Sequence, residues 1–456
     1  MTAGWADMPV LVAGAGASGE AAARGLLRLG ARVTVADRAA SGRTEGLAEA
    51  GATVVLGLDT PPAGTALVVT SPGWRPDAPL LVAAAAAGIE VIGEVALAWR
   101  MRPAGGAPWL AVTGTNGKTT TVRMLEAILR AAGLRAVATG NVGLPVVDAV
   151  LADPAYDVLA VELSSFQLHW SPSVRPAAGA LLNLAPDHLD WHSSYAEYAA
   201  AKERIWAGAA TVAIGAADDP EVASRLADAP GWQVGFTAGR PARGQLGVMD
   251  GVLVDAAFGG GPAELAKARD IRPPGPHNVA NALAAAALAR AHGVRPDAVA
   301  EGLRAFVPDP HRNERVAELV GVTYVDDSKA TNPHAAGASL TAYPRVVWIA
   351  GGLLKGAPVD RLVAAVADRL AGAVLLGADR AAVRAAIARH APHLPVVEVG
   401  RTDDEAMSEV VRAAAALARP GDTVLLAPAA ASMDMFHDYA ARGDAFAAAV
   451  RAMEGS

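Results

Sequence analysis

The sequence contains no cysteine, and this excludes several kinds of chemistry at once. Without thiols the chain can form no disulfide framework, no thiolate zinc site and no cysteine nucleophile. It also has no run of basic residues, since its arginines are scattered and its formal net charge is −7. Because nothing in this charge pattern forms a basic field, we expect no nucleic-acid partner.

Long apolar runs are missing as well. The first nine residues have neither the basic start nor the apolar stretch of a secretion signal. No run reaches the roughly 20 apolar residues that span a bilayer. The nearest one, residues 280–291, contains Arg290 and is followed by His292. We therefore expect no membrane partner and a cytoplasmic location.

The chain has ample length and apolar content. Its 456 residues exceed what one core organises, and 52% apolar with 19% charged residues is typical of ordered globular domains. Strand patterns alternate with helical patterns along the chain, which predicts an α/β protein with mostly parallel sheets and flanking helices. Breaks rich in Gly and Pro at 103–108 and 308–310 divide it into three predicted domains, residues 1–98, 99–309 and 310–456.

The strongest functional signal is the loop that follows the predicted strand at residues 109–113. Gly114 and Gly117 carry no Cβ, so backbone N–H groups can close around a phosphate. The following helix N-terminus and Lys118 add positive charge. Thr119 or Thr120 can hold a Mg²⁺ ion that phosphates also bind.

This loop is a variant of the common phosphate-binding pattern. Val112 stands where that pattern has its first glycine, five residues before Gly117. The alternative is a plain strand–turn–helix corner, but a lysine buried in such a corner would lack a partner. The loop therefore predicts a nucleoside triphosphate site.

A second glycine loop lies near the N-terminus. Gly14, Gly16 and Gly19 follow a predicted strand, and Asp37 stands about 20 residues further on, which matches the dinucleotide fingerprint. Taken alone, this pattern leaves three alternatives: a nicotinamide or flavin site, a site for another nucleotide, and a purely structural turn. Together with the triphosphate loop, it favours a nucleotide-tagged substrate that is joined to ATP chemistry.

Candidate metal ligands follow two strands of the middle domain. Glu162 ends one predicted strand and can hold Mg²⁺ beside the phosphate loop, or it can cap a helix. His188 follows another strand and is either a metal ligand or a structural histidine, and His192 is a weaker candidate. Lys202 lies in a predicted helix, where a solvated lysine is the simplest interpretation.

Seven segments in chain order resemble the Mur ligases, the cytoplasmic enzymes that build the peptide of the bacterial cell-wall precursor. The segments 163–168 and 327–331 most resemble the branch that adds D-glutamate. The seven runs are TGTNGKTT from residue 113, GNVGLP from 140, ELSSFQL from 162, NLAPDHLD from 183, GPHNVANA from 275, DSKATN from 327 and PAAASMD from 428.

The resemblance implies roles around ATP and magnesium. It implies a P-loop ATPase-like middle domain between two Rossmann-like domains. Lys118, Glu162, His188, Lys202 and Lys329 would be the catalytic set. Thr119 and Glu162 would hold one Mg²⁺, while His188 and a carbamylated Lys202 would hold a second. The ATP site would comprise Gly114, Thr115, Asn116, Gly117, Lys118, Thr119, Thr120, Asn278, Arg312 and Asp327.

It also implies where the other substrates bind. The UDP-linked substrate would contact Ala17, Ser18, Asp37, Arg38, Ser71, Gly73 and Asn141. D-Glutamate would bind at Thr331, Lys355, Ser432 and Tyr439, with Lys329 beside them. Two positions depart from the family pattern: Ala39 stands where the UDP pocket has an arginine, and Tyr439 stands where phenylalanine also occurs.

The resemblance thus implies a monomeric, ATP-dependent ligase that joins D-glutamate to UDP-N-acetylmuramoyl-L-alanine through an acyl phosphate. The nearest alternative is another acyl-phosphate ligase, either a different Mur ligase or a relative of folylpolyglutamate synthetase. The N-terminal nucleotide loop argues against the folate enzyme. An NAD-dependent dehydrogenase with an unrelated phosphate loop and a nonenzymatic nucleotide-binding regulator are the remaining alternatives.

Overall fold

The computed structural model describes residues 4–189, 191–208, 211–403 and 405–454. Asp190, which ends the NLAPDHLD run, lies outside the described residues. The chain forms two compact units: Met1–Asp270 with Ala280–Phe306, and Ile271–Val279 with Val307–Ser456. The first unit contains two sheets and the second contains one.

The first sheet is parallel throughout its described strands. Its order is β3-β2-β1-β4-β5, so the strand order reverses beside β1. Loops that follow β1 and β4 therefore meet at the carboxyl edge, where such sheets bind ligands. The elements are β1 (Pro9–Ala13), α1 (Ala17–Arg28), β2 (Arg32–Asp37), α2 (Gly42–Glu49), β3 (Thr53–Leu56), β4 (Leu67–Thr70), α3 (Pro79–Ala86), β5 (Glu90–Gly93) and α4 (Glu94–Met101).

The second sheet has the order β14-β13-β12-β11-β10-β9-β6-β8-β7 in the described residues. Strands β6 to β12 are parallel, whereas β13 is antiparallel to both of its neighbours. Its elements are β6 (Trp109–Thr113), α5 (Lys118–Ala131), β7 (Ala136–Gly140), α6 (Val146–Val150), β8 (Val158–Glu162), α7 (Ser165–His169), β9 (Ala178–Leu181), α8 (Tyr195–Glu203), β10 (Val212–Ala216), α9 (Pro220–Ala227), β11 (Trp232–Phe236), β12 (Gln245–Met249), β13 (Val252–Asp255), β14 (Ala263–Lys267), α10 (Pro276–Ala291) and α11 (Pro296–Ala305), with 3₁₀ turns at Arg204–Trp206 and Ala268–Asp270.

The two sheets of the first unit are joined by a buried carboxylate. Glu94, at the start of α4, accepts a hydrogen bond of 2.8 Å from the backbone N–H of Val147 in α6. Beside it, the N–H of Gly93 donates to the carbonyl of Trp170 at 2.8 Å. Because this Glu94 side chain is only 3% exposed, the joint is part of the core.

The third sheet, in the second unit, has the order β15-β16-β20-β17-β18-β19, and only β15 among its described strands is antiparallel to its neighbour. Trp348 and Ile349, adjacent on β17, belong to different apolar clusters, so the sheet is buried on both faces. The elements are β15 (Glu314–Leu319), β16 (Val322–Asp326), α12 (Pro333–Leu340), β17 (Val346–Gly351), α13 (Asp360–Val366), β18 (Leu370–Leu376), α14 (Arg380–His390), β19 (Val396–Glu398), α15 (Ala406–Leu417), β20 (Thr423–Leu426) and α16 (Tyr439–Glu454), with a 3₁₀ turn at Ala367–Arg369.

The predicted fold class is confirmed: the protein is α/β, with three mostly parallel sheets flanked by helices. The antiparallel strands β13 and β14, and the antiparallel edge strand β15, were not predicted. The domain boundaries after residues 98 and 309 stay a prediction. Within the described residues, no helix is both long and apolar enough to cross a bilayer.

Candidate active site

The phosphate loop has the backbone that a glycine-rich cradle requires. Gly117 is the N-cap of α5 with φ +86°, and Gly114 has φ +154°. A Cβ on Gly117 would lie 2.3 Å from Oδ1 of Asn281, and one on Gly114 would lie 3.0 Å from Cβ of Leu182. A side chain at Gly117 would displace the Asn281 amide and one at Gly114 would crowd Leu182, and the positive φ at both positions favours glycine.

The side chain of Lys118 is held in place by carbonyl groups of the phosphate loop. Its Nζ donates to the carbonyl oxygens of Gly114 at 3.0 Å and Thr115 at 2.9 Å. Thr120, two residues further on, is buried in the first turn of α5. The ammonium group and the helix N-terminus therefore occupy the same end of the loop, as a site for polyphosphate requires.

The loop is fastened to the next strand connection by an amide pair. Asn183 accepts from the backbone N–H of Asn116 at 2.9 Å and donates to its carbonyl at 3.0 Å. The hydroxyls of Thr115 and Tyr198 lie 2.8 Å apart. The sequence analysis assigned no role to Asn183 or Tyr198, although Asn183 begins the NLAPDHLD run.

Glu162 lies at the centre of the predicted magnesium site. The hydroxyl of Thr119 donates to Oε2 of Glu162 at 2.8 Å, and the amide of Asn141 donates to Oε1 at 2.8 Å. The Asn141 backbone N–H also donates to the Glu162 carbonyl at 2.9 Å. One buried carboxylate thus links a residue predicted to contact ATP with a residue predicted to contact the UDP-linked substrate.

Lys202 is buried, contrary to the simplest interpretation of a solvated lysine. It lies in the last turn of α8 and is 2% exposed. Its Nζ donates to the Gly114 carbonyl at 2.8 Å and lies 4.7 Å from the ring centroid of Tyr198. Burial, and then the positive charge of Lys118, lower the pKa of Lys202 well below its ordinary value. The surroundings thus disfavour the charged form of Lys202 relative to a lysine in water.

His188 and His192 occupy different environments. His188 has a half-exposed side chain, a left-handed backbone with φ +53°, and a ring 4.8 Å from that of Phe166. His192 is 3% exposed, and its Nε2 lies 3.0 Å from Oγ of Ser165. Burial, followed by the charges of His169 and His188, lowers the pKa of His192 to about 4. His188 is thus the more accessible of the two candidate ligands.

The predicted UDP site lies at the carboxyl edge of the first sheet. Gly14 has φ +95°, and a Cβ on Gly19 would lie 1.8 Å from the Gly14 carbonyl oxygen. Asp37 accepts from the N–H of Ala15 at 2.7 Å and of Arg38 at 2.6 Å, so its carboxylate holds the loop. The exposed Ala17 and half-buried Ser18 open α1, Arg38 and Gly73 are exposed, and Ser71 Oγ donates to the Gly14 carbonyl at 3.3 Å.

In the second unit, Asp327 is buried between chain segments. It accepts from the N–H of Asn313 at 3.2 Å. Burial raises the pKa of Asp327 to about 6, against the opposing hydrogen bonds and the charge of Arg312. Arg312 itself lies 3.9 Å from Asp309. Asn278, 3% exposed, places its amide 2.9 Å from Nε2 of His277.

The predicted amino-acid residues follow the ends of three neighbouring strands, β16, β20 and β17. Nζ of Lys329 lies 3.8 Å from the ring centroid of Tyr439, which begins α16. The backbones of Leu353 and Ala431 are paired, and this places the segments of Lys355 and Ser432 side by side. Lys355 has a left-handed backbone with φ +52°. In the part of the chain that the structure describes, Thr331, Lys355 and Ser432 are not hydrogen-bonded to one another.

Arg442 is a residue that the sequence analysis missed. It is 1% exposed and donates to Oγ of Ser328 at 2.9 Å, to the Ser328 carbonyl at 2.8 Å and to the Ala430 carbonyl at 3.1 Å. It therefore ties the DSKATN run to the PAAASMD run. The sequence spacing could have indicated its burial, because Arg442 lies on the same face of α16 as the buried Phe446 and Val450.

Two family models match the chain. The model described as the Mur ligase middle domain matches residues 112–289, and the Mur ligase glutamate ligase domain matches residues 311–430. The chain belongs to the Mur ligase family. The first match covers the strand connections that carry Lys118, Glu162 and Lys202, and the second covers Arg312, Asp327 and Lys329.

Curated relatives match this Mur ligase over nearly its whole length. It is 62% identical to the UDP-N-acetylmuramoylalanine--D-glutamate ligase of Thermobifida fusca, over 98% of both chains. It is 58% identical to the enzyme of the same name from Streptomyces coelicolor, over 97% of both chains. These relatives favour the ligase over the dehydrogenase and the regulator that the sequence left open.

Solved structures share the fold of this Mur ligase at low sequence identity. UDP-N-acetylmuramate-alanine ligase MurC from Thermotoga maritima superposes with a TM-score of 0.59 at 17% identity, covering 98% of this chain and 99% of that one. MurF ligase from Thermotoga maritima in complex with ADP gives 0.58 at 16% identity, covering 98% and 96%. At these identities the likeness supports the architecture alone.

Proposed function

We propose that this protein is an ATP-dependent ligase that adds D-glutamate to UDP-N-acetylmuramoyl-L-alanine. The full-length relatives carry this name, and the observation that carries the proposal is the arrangement at Glu162. Its carboxylate binds Thr119 of the phosphate loop and Asn141 of the predicted substrate loop, each at 2.8 Å. A site that couples a triphosphate to a second substrate requires such a junction.

The reaction proceeds in two steps. The alanyl carboxylate of the substrate attacks the γ-phosphorus of ATP, the bond to the bridging oxygen breaks, and ADP leaves. The amine of D-glutamate then attacks the acyl phosphate, the C–O bond to phosphate breaks, and the amine loses a proton as the amide forms. Phosphorylation is needed because a free carboxylate is a poor acyl donor. Lys118 and Arg312 would stabilise the phosphate charge.

The residues at Glu162 are suited to Mg²⁺. Thr119 and Glu162 present a hydroxyl and a carboxylate oxygen side by side, and Mg²⁺ prefers oxygen ligands. Glu162 is 1% exposed, so an ion there would be screened little by solvent. Bound Mg²⁺ would neutralise phosphate charge. We assign Thr119 and Glu162 to one ion, and His188 with carbamylated Lys202 to a second.

The environment of Lys202 suits carbamylation. Only an uncharged amine attacks CO₂, and burial beside Lys118 lowers the pKa of Lys202. The neutral nitrogen forms a bond to the carbon of CO₂ and loses a proton, which converts an uncharged amine into an anionic carbamate. A carbamate supplies the oxygen atoms that an ammonium group lacks.

We assign each of the three predicted domains to one substrate. The first domain, residues 1–98, would bind the UDP group. The middle domain, 99–309, would bind ATP together with Asn278, Arg312 and Asp327. The C-terminal domain, 310–456, would bind D-glutamate. We further propose that the protein acts as a monomer in the cytoplasm, which size-exclusion chromatography with light scattering would test.

Phosphate release tests the proposed function directly. Purified protein with ATP, Mg²⁺ and UDP-N-acetylmuramoyl-L-alanine should release phosphate when D-glutamate is added, and much less with L-glutamate. The Lys118→Ala variant is the matched control and should be inactive, since it lacks the loop cation. Equal rates with both glutamates, or release that does not depend on the UDP-linked substrate, would contradict the proposal.

Lys202 has its own test. Lys202→Ala should lose nearly all activity, and short carboxylates added to the assay should restore part of it by replacing the carbamate. A variant that keeps full activity without any added carboxylate would rule the carbamate out.

A further inference from the structure

Trp74 lies directly beside the first glycine loop. The residues Ser71 to Trp74 form a tight turn after β4, closed by a hydrogen bond of 3.1 Å from the Trp74 N–H to the Ser71 carbonyl. The turn brings the Trp74 indole back over Gly14. Its Nε1 lies 2.8 Å from the position that a Cβ on Gly14 would occupy, and Ser71 Oγ lies at the same 2.8 Å.

The indole is anchored at its apolar side. Trp74 is half-buried and packs against the core cluster that includes Leu11, Val68 and Leu80. This packing fixes the ring while its N–H edge stays at the loop, an orientation that suits an amphipathic aromatic side chain. In the part of the chain that the structure describes, this N–H has no protein acceptor.

Polar groups therefore lie close to the backbone of Gly14. Nε1 of Trp74 is a donor only, and the backbone N–H groups at the start of α1 add further donors. Gly14 itself contributes no side chain, and its φ of +95° disfavours any other residue. A ligand that binds these donors must present acceptor oxygens, as a nucleotide with its phosphates does.

We propose that Trp74 is a specificity-determining residue for the UDP-linked substrate. Its indole Nε1–H donates to an oxygen of the uridine diphosphate group where that group passes Gly14. This inference rests on the proposed function and adds to it a residue that lies outside the expected set of Ala17, Ser18, Asp37, Arg38, Ser71, Gly73 and Asn141.

Calorimetric titration with UDP alone tests the inference. Trp74→Phe keeps an aromatic ring and removes the N–H, so UDP affinity should fall roughly tenfold or more. In steady state the KM for the UDP-linked substrate should rise by a similar factor, while kcat and the KM for ATP stay unchanged. The control is Trp232→Phe, because Trp232 is 51% exposed on β11 and should leave all three values unaltered.

A second measurement keeps an indole at position 74. With 5-fluorotryptophan incorporated, the ¹⁹F resonance that Trp74→Phe removes should shift when UDP is added. A resonance that stays in place, or a folded Trp74→Phe variant that binds UDP as tightly as the parent, would overturn the inference. A lowered thermal midpoint with unchanged affinity would likewise reduce Trp74 to a packing residue. If the parent itself bound no UDP, the proposed function would fail instead.

Discussion

Replacement of Glu94 by glutamine should change how the stability of the first unit depends on pH. Glu94 is almost fully buried and accepts the backbone N–H of Val147 at the start of α6. Burial, opposed by the backbone hydrogen bonds and supported by the negative charge of Asp148, raises the pKa of this carboxyl from 4.5 to about 7. The folded protein therefore binds a proton at Glu94 more readily than the unfolded chain does.

The sign and size of the effect follow from that difference. The stabilisation is fully present below pH 4.5, declines as pH rises, and is lost above about 7. The whole change amounts to about 3 kcal/mol, of which about 2 kcal/mol falls between roughly pH 5.5 and pH 8.5. Glutamine has a similar shape and can still accept from Val147, but it does not titrate. Any destabilisation that the glutamine NH₂ group causes is the same at every pH, so it does not affect the pH dependence.

Urea denaturation of both proteins at several pH values measures this difference. The stability of the parent relative to Glu94→Gln should fall by about 2 kcal/mol from roughly pH 5.5 to pH 8.5. Asp148→Asn removes the neighbouring carboxylate and should make the fall smaller, because the pKa of Glu94 then lies lower. A difference between parent and Glu94→Gln that stays constant over this range would refute the reasoning.

Three further substitutions test other contacts. Asn141→Asp would place a second carboxylate against Glu162, and it should lower kcat/KM about 100-fold in the phosphate-release assay, with a normal thermal midpoint. Gly302→Ala would put a Cβ 2.3 Å from Cα of Ile128, so urea denaturation should show a loss of at least about 2 kcal/mol. Arg442→Lys cannot reach both Ser328 and Ala430, and it should cost about 2 kcal/mol by the same measurement. For each substitution, an unchanged kcat/KM or an unchanged free energy of unfolding would contradict the reasoning given for it.

Sequence periodicity predicted the sheets well where strand and helix alternate. The apolar runs at 53–56 and 67–70 form β3 and β4, and the apolar run at 280–291 forms most of α10. It did not predict β13 and β14. β13 is only four residues long and β14 contains Glu264 and Lys267, so their local patterns are weak. Pairing of β13 with β12, and of β14 with β13, makes them strands.

The site was predictable to the extent that its chemistry lies in contiguous motifs. Glycine spacing indicates the phosphate loop, and strand ends indicate Glu162, because both are local properties of the chain. Asn183 and Arg442 are different. Each is defined by contacts with carbonyl and amide groups far away in sequence, 67 residues for Asn183 with Asn116 and 114 for Arg442 with Ser328. Only the folded chain shows these distances.

The sequence alone does not distinguish the roles of the two lysines at the phosphate loop, whereas the tertiary structure does. Both Lys118 and Lys202 donate to the Gly114 carbonyl, at 3.0 and 2.8 Å. Two ammonium groups close to one oxygen repel each other. The lysine with less access to water loses its proton more easily, because burial disfavours the charged form. Lys202 is that residue, and the charge of Lys118 contributes to its lowered pKa. One lysine therefore suits phosphate, and the other suits reaction with CO₂, because a single helix buries Lys202 against the loop.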